Sequence, residues 1–189
     1  MFERGFKTWC EKYAAEKRQE LGLKPSDPLD PRQLAVHLGI RVCTPYDIPG
    51  LSQSLIDVLL RNDGVTPSCW SAVTLVVGNK TMVILNSSHT PGRQSSDLAH
   101  ELAHRIRGHN THDMQVSAEG VMFISEYDKL QEDEADWLAS CLLLPREALV
   151  RIKVRGLDFA EAAKIFGVSL KMLKYRLARS GVDRQFAAF

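Results

Sequence analysis

No stretch of this sequence is long and apolar enough to cross a bilayer: the longest run, around Leu138 to Leu144, falls far short of the roughly 20 residues a spanning helix needs. The N-terminal region also lacks the apolar centre of a secretory leader, because charges such as Glu3, Arg4, Lys7, Glu11 and Lys12 recur throughout it. The expected location is the cytoplasm. Cysteine is scarce and unpaired in spacing. Cys10, Cys43, Cys69 and Cys141 lie far apart, which excludes a zinc knuckle or a redox dithiol and predicts buried thiols in a reducing compartment. Low-complexity segments and internal repeats are absent. An excess of either sign of charge is also nearly absent, since the net charge is +1, and this excludes a global attraction to nucleic acid or anionic lipid.

What is present describes a globular chain: 44% hydrophobic and 25% charged over 189 residues, enough for one core of ordinary size. Phe2, Phe6, Trp9 and Tyr13 fall on one face of a helix that should run to Leu21 before Gly22. Asp30-Pro31 is a cap followed by proline at the first helical position, so a short helix should run to Leu38 and lead into a strand at Ile40 to Cys43. Leu51 to Leu60 reads as a third helix. Trp70 to Val77 and Met82 to Leu85 read as strands joined by a turn at Gly78-Asn79-Lys80-Thr81. Thr90-Pro91 opens a helix reaching Arg107, stopped by Gly108. His109 to Glu119 reads as loop and Val121 to Ile124 as strand, and a long helix is expected from Ser125 to Leu144, closed by Pro145.

The segment with most chemistry is His100-Glu101-Leu102-Ala103-His104. On a helix, residues i and i+4 point the same way, so both imidazoles can reach one zinc ion, while Glu101 sits a fraction of a turn aside as a general base. A zinc-bound water has a pKa near 7, and a neighbouring carboxylate can take its proton and return it to a leaving amine. The pattern HExxHxxGxxH would need Gly at 107 and His at 110, whereas the chain has Arg107 and Asn110. His109 and His112 are out of register and read as solvent-exposed loop residues. A third ligand is therefore sought on the long helix. Glu132 and Asp136 share one face, so Glu132 can ligate while Asp136 accepts the other ring N–H of a histidine, with Glu134 as the alternative ligand.

The run Asn86, Ser88, His89, Arg93, Gln94, Asp97, Leu98 into His100-Glu101-Leu102-Ala103-His104, followed by Glu132-x-Glu134-Ala135-Asp136-x-x-Ala139-x-x-Leu142-Leu143-x-Pro145, resembles the ImmA/IrrE family of metallopeptidases. The resemblance implies zinc held by His100, His104 and Glu132, with Glu101 catalytic. It also implies a helix-turn-helix repressor as substrate, whose cleavage releases mobile-element or stress-response genes. Asp136 and Leu138 depart from the family's usual Asn and frequent Phe.

The fold expected is α+β: a small, mostly antiparallel sheet beside the HExxH helix and the Glu132 helix, in a peptidase domain over 1–155. A helix-turn-helix-like segment over 156–189 would pack on it. From Arg151 onward the acidic residues are only Asp158, Glu161 and Asp183, and Lys171, Lys174, Arg176 and Arg179 lie on the second helix of that segment. Those residues could meet phosphates, which gives the rival reading of a DNA-binding regulator, or of a non-catalytic repressor-binding protein with structural zinc. The favoured reading gives the segment a structural or substrate-docking role and expects no direct nucleic-acid binding.

Overall fold

The computed structural model of the protein describes residues 1–61, 70–78, 80–109, 114–116, 122–124 and 128–186. The N-terminal helix α1 spans Phe6–Glu20. Phe2 precedes it, and its ring continues the aromatic ladder, 4.8 Å from Phe6, followed by Phe6 to Trp9 at 6.2 Å and Trp9 to Tyr13 at 5.2 Å. Helix α2 (Pro31–His37) begins where Asp30 accepts a hydrogen bond from the Arg32 N–H, and it feeds β1 (Arg41–Cys43). A 3-10 turn at Pro45–Asp47 and helix α3 (Gln53–Leu59) separate β1 from β2 (Ala72–Val77) and β3 (Lys80–Leu85).

The fold class is α+β, and the three-stranded sheet is mixed, with its longer ladder antiparallel. Its order is β1-β3-β2, with β1 parallel and β2 antiparallel to β3. Alternation identifies strands without naming their neighbours: the chain leaves β1, returns through α3 and β2, and places β3 in the middle. There Thr81, Val83 and Leu85 are buried at every second position. The turn is also tighter than the sequence suggests. Val77 pairs with Lys80, so Lys80 and Thr81 belong to β3; Asn79 lies outside the described residues.

Helix α4 (Pro91–Arg107) packs on this sheet and against α5 (Lys129–Leu143). Between them, β4 (Met114–Val116) pairs antiparallel with β5 (Met122–Ile124), so a strand lies where the sequence reads as loop. Three residues are too few to show a period, and the pairing partner rather than local pattern makes the strand. Helix α5 is capped by Asp128, whose carboxylate accepts from the Leu130 and Gln131 N–H groups; Ser125, the expected start, lies outside the described residues. Helix α5 contacts both α4 and α1, and Ala135 and Trp137 through Leu144 are buried, which accounts for its almost unbroken apolar C-terminal half.

Helices α6 (Arg146–Val154), α7 (Phe159–Ile165), α8 (Leu170–Ser180) and α9 (Val182–Phe186) complete the chain. Asp158 and Ser169 cap α7 and α8. Ala162, Leu173, Leu177 and Val182 belong to the same buried cluster as Leu98, Leu102, Leu138 and Leu142. Arg176 cannot meet a phosphate. Its side chain is fully buried and bonds to Leu144 and Glu11. Cys10, Cys43 and Cys141 are buried free thiols, and Cys69 lies outside the described residues. Among the described residues no helix is long and apolar enough to cross a membrane.

Candidate metal centre

Helix α4 buries Leu98, Ala99, Leu102 and Ala103 in the core, which turns His100 and His104 toward α5 at the edge of that core. The His100 and His104 Nε2 atoms stand 3.0 Å apart. Across from them Glu132 of α5 brings Oε2 to 3.2 Å from His100 Nε2 and Oε1 to 3.4 Å from His104 Nε2. Each of the three residues thus offers a ligand atom within 4.8 Å of the others. Glu134, the alternative from spacing, points elsewhere. It pairs with Arg107, Nη2 to Oε2 at 2.7 Å.

Whether these residues suit a cation can be judged from their hydrogen bonds. His100 Nδ1 lies 2.9 Å from Asp136 Oδ1, and a carboxylate only accepts, so the ring carries its proton on Nδ1 and its Nε2 lone pair faces the site. Glu132 adds two more acceptor oxygens. Acceptors converging at 3.0 to 3.4 Å repel one another unless a proton or a cation lies among them. His100 shows the same field. Burial favours its neutral form, but the hydrogen bond to Asp136 and the charges of Asp136, Glu132 and Glu101 override this and hold its pKa above the ordinary histidine value. Two imidazoles and one carboxylate are a donor set that fits Zn²⁺.

Glu101 faces the sheet, where it meets β2. Burial pushes its carboxyl above the usual glutamate range, and the Thr74 hydroxyl on β2, which donates to Oε2, pulls it partly back. That direction suits a group that must take up and release a proton near neutral pH.

His109 is not an exposed loop residue. Gly108 has φ 66°, and the N–H groups of Gly108 and His109 bond back to Arg105 and His104 carbonyls, closing α4 with a Schellman turn. The turn folds the His109 ring over His104, centroids 5.0 Å apart, and leaves its side chain 7% exposed. The sequence signal was a glycine directly after the helix: in this turn the residue following that glycine sits over the fourth-last helical position, here His104. His112 lies outside the described residues.

Among known proteins, no curated protein matches the chain. A family model described as the IrrE N-terminal-like domain, a peptidase family, matches residues 61–178, a span that holds His100, Glu101, His104 and Glu132 and covers well over half of the chain. The protein belongs to the IrrE N-terminal-like peptidase family.

Proposed function

We propose that this chain is a zinc-dependent endopeptidase of the cytoplasm in which His100, His104 and Glu132 hold the metal and Glu101 is the general base. The observation that carries the reading is the convergence of His100 Nε2, His104 Nε2 and the two Glu132 oxygens at 3.0 to 3.4 Å. Zinc, when bound, would supply Lewis acidity toward the scissile carbonyl and the attacking water. Glu101 takes a proton from that water at its carboxylate and gives it to the departing amine, a transfer its raised pKa favours. Thr74 holds the carboxylate in place meanwhile.

Substrate binding is assigned to β2. It is an edge strand of the three-stranded sheet, and its Thr74 reaches Glu101, so an extended segment pairing with that edge runs past the base. The substrate proposed is a helix-turn-helix repressor, whose cleavage would derepress mobile-element or stress-response genes. Neither membrane nor nucleic acid is needed as a direct partner. Burial of Arg176 against Glu11 removes one of the four basic residues a DNA-reading α8 would use. The test is incubation of the purified chain with the helix-turn-helix protein encoded beside it, read by mass spectrometry. Fragments that vanish with chelator and with Glu101→Gln are expected; an intact repressor with zinc-loaded protein refutes the assignment.

A further inference from the structure

The two histidines of the site are supported differently. His100 leans on Asp136, an exposed carboxylate. His104 reaches inward: its Nδ1 lies 3.0 Å from Nδ1 of His109, and His109 Nε2 lies 3.3 Å from Oε2 of Glu134. The same Glu134 oxygen accepts from Arg107, Nε at 2.8 Å and Nη2 at 2.7 Å. Arg107 in turn sits 5.1 Å from the ring centroids of both Phe6 and Trp9. Contacts thus run without a break from the aromatic face of α1 to the imidazole of His104.

Donor and acceptor roles give this line a direction. Glu134, paired with Arg107, only accepts, so His109 carries its proton on Nε2. His109 Nδ1 is then an acceptor, and the proton between the two Nδ1 atoms belongs to His104. His104 is left with its lone pair on Nε2, the atom that faces His100 and Glu132. We propose that His109 and Glu134, braced by Arg107, are positioning residues that fix the ring orientation and tautomer of His104 for metal binding. This deepens the metal-site reading above and rests on it. Such outer contacts change metal affinity by about 10–100-fold when removed.

The test compares full-length wild type, His109→Gln and His109→Phe by chelator competition for Zn²⁺ and by the visible spectrum of bound Co²⁺. Glutamine keeps one acceptor and one donor in the order the line needs; phenylalanine keeps the ring and loses both. His109→Phe is expected to bind Zn²⁺ about 10–100-fold more weakly, with an altered Co²⁺ spectrum, and His109→Gln to stay close to wild type. Mere packing predicts the opposite ranking, because phenylalanine preserves the ring. A phenylalanine variant that binds as tightly as wild type, or as the glutamine variant, overturns the proposal. Should His109→Phe fail to fold by circular dichroism, Glu134→Gln carries the same test, with about tenfold weaker binding expected and wild-type affinity overturning it. Folded wild type that binds neither metal overturns the metal-site reading itself. Metal-binding wild type with unaffected variants overturns the relay alone.

Discussion

Arg176 in α8 and Glu11 in α1 are joined at 2.7 Å across 165 residues of sequence, with the guanidinium fully buried. Arg176 Nε also donates to the Leu144 carbonyl at 3.0 Å, while Arg18 of α1 reaches the Leu142 carbonyl at 2.6 Å. Two buried guanidinium groups from opposite ends of the chain therefore close the C-terminal end of α5, whose orphan carbonyls have no partner within the helix. Helix α5 carries Glu132, so the ends of the chain hold the helix that completes the candidate metal centre. Burial pulls the Arg18 pKa down to about 10, with the charges of Glu147, Glu11 and Asp27 opposing it.

Removing one partner of this arrangement should cost far more than removing an exposed charge. Glu11→Ala leaves the Arg176 guanidinium buried without its counter-charge, a loss of about 3–5 kcal/mol. Lys171→Ala and Arg179→Ala, at exposed positions of the same helix, should change stability by no more than about 0.5 kcal/mol. Urea unfolding of the three variants checks the contrast. Equal effects would mean that the Arg176–Glu11 contact contributes nothing.

Most elements could be read from the sequence because each has a local cause. The Asp30 cap, the stop at Gly108 and the β-rich runs that form β2 and β3 are properties of a few neighbouring residues. Spacing alone also brought Glu132 and Asp136 to the face that meets His100. The parallel pairing of β1 with β3 depends on where the chain returns, and no local pattern records it. Arg176 looks like any basic residue on a helix until the positions of α1 and α5 are known. His109 is intermediate: a metal-motif register excludes it, while the helix-terminating glycine before it places it against His104.

Metal binding should depend on pH through His100. A bound zinc and a proton exclude each other at Nε2, and Asp136, with Glu132 and Glu101, raises the histidine's pKa against its burial. Apparent zinc affinity is therefore expected to fall about tenfold per pH unit once pH drops below that raised value. Asp136→Asn keeps an acceptor for Nδ1–H without the charge. Its fall-off should move to lower pH, with somewhat weaker affinity on the high-pH plateau because the ring becomes less basic. Chelator competition across pH measures both effects, and coincident profiles for wild type and variant would exclude Asp136 as the cause.

Purified wild type should hold about one zinc per chain, His104→Ala and Glu132→Ala much less, and Glu134→Ala an intermediate amount. Glu132 faces both Nε2 atoms, whereas Glu134 pairs, among the described residues, with Arg107 and His109. Elemental analysis after dialysis ranks wild type and the three variants. Greater loss from Glu134→Ala than from Glu132→Ala would exchange their roles.

Thr74 and Glu101 give a kinetic prediction with a defined sign. Glu101→Gln should keep zinc and fold but lose about 10²–10⁴ in rate, since an amide cannot take the proton. Thr74→Val keeps the shape of the side chain and removes the hydroxyl that stabilises the ionised carboxylate. Burial then acts unopposed by that bond and the Glu101 pKa rises further. Because the base must be ionised to work, the acid limb of kcat/KM should shift to higher pH. An unchanged limb in Thr74→Val would show that Glu101 does not govern it.

Lys171 and Lys174 lie exposed on α8, where they are available to a partner, unlike Arg176. If α8 docks the substrate, combining Lys171→Glu with Lys174→Glu should lower repressor cleavage chiefly through KM, leaving zinc content and kcat little changed, because neither residue belongs to the His100, His104 and Glu132 group. The same wild-type protein should show little affinity for DNA at physiological salt, since the two lysines and Arg179 release too few counterions to bind tightly there. Steady-state cleavage at varied repressor concentration and a salt-dependent mobility-shift assay separate the possibilities. A salt-sensitive shift on a defined site, abolished by the double variant while cleavage persists, would assign α8 to nucleic acid instead.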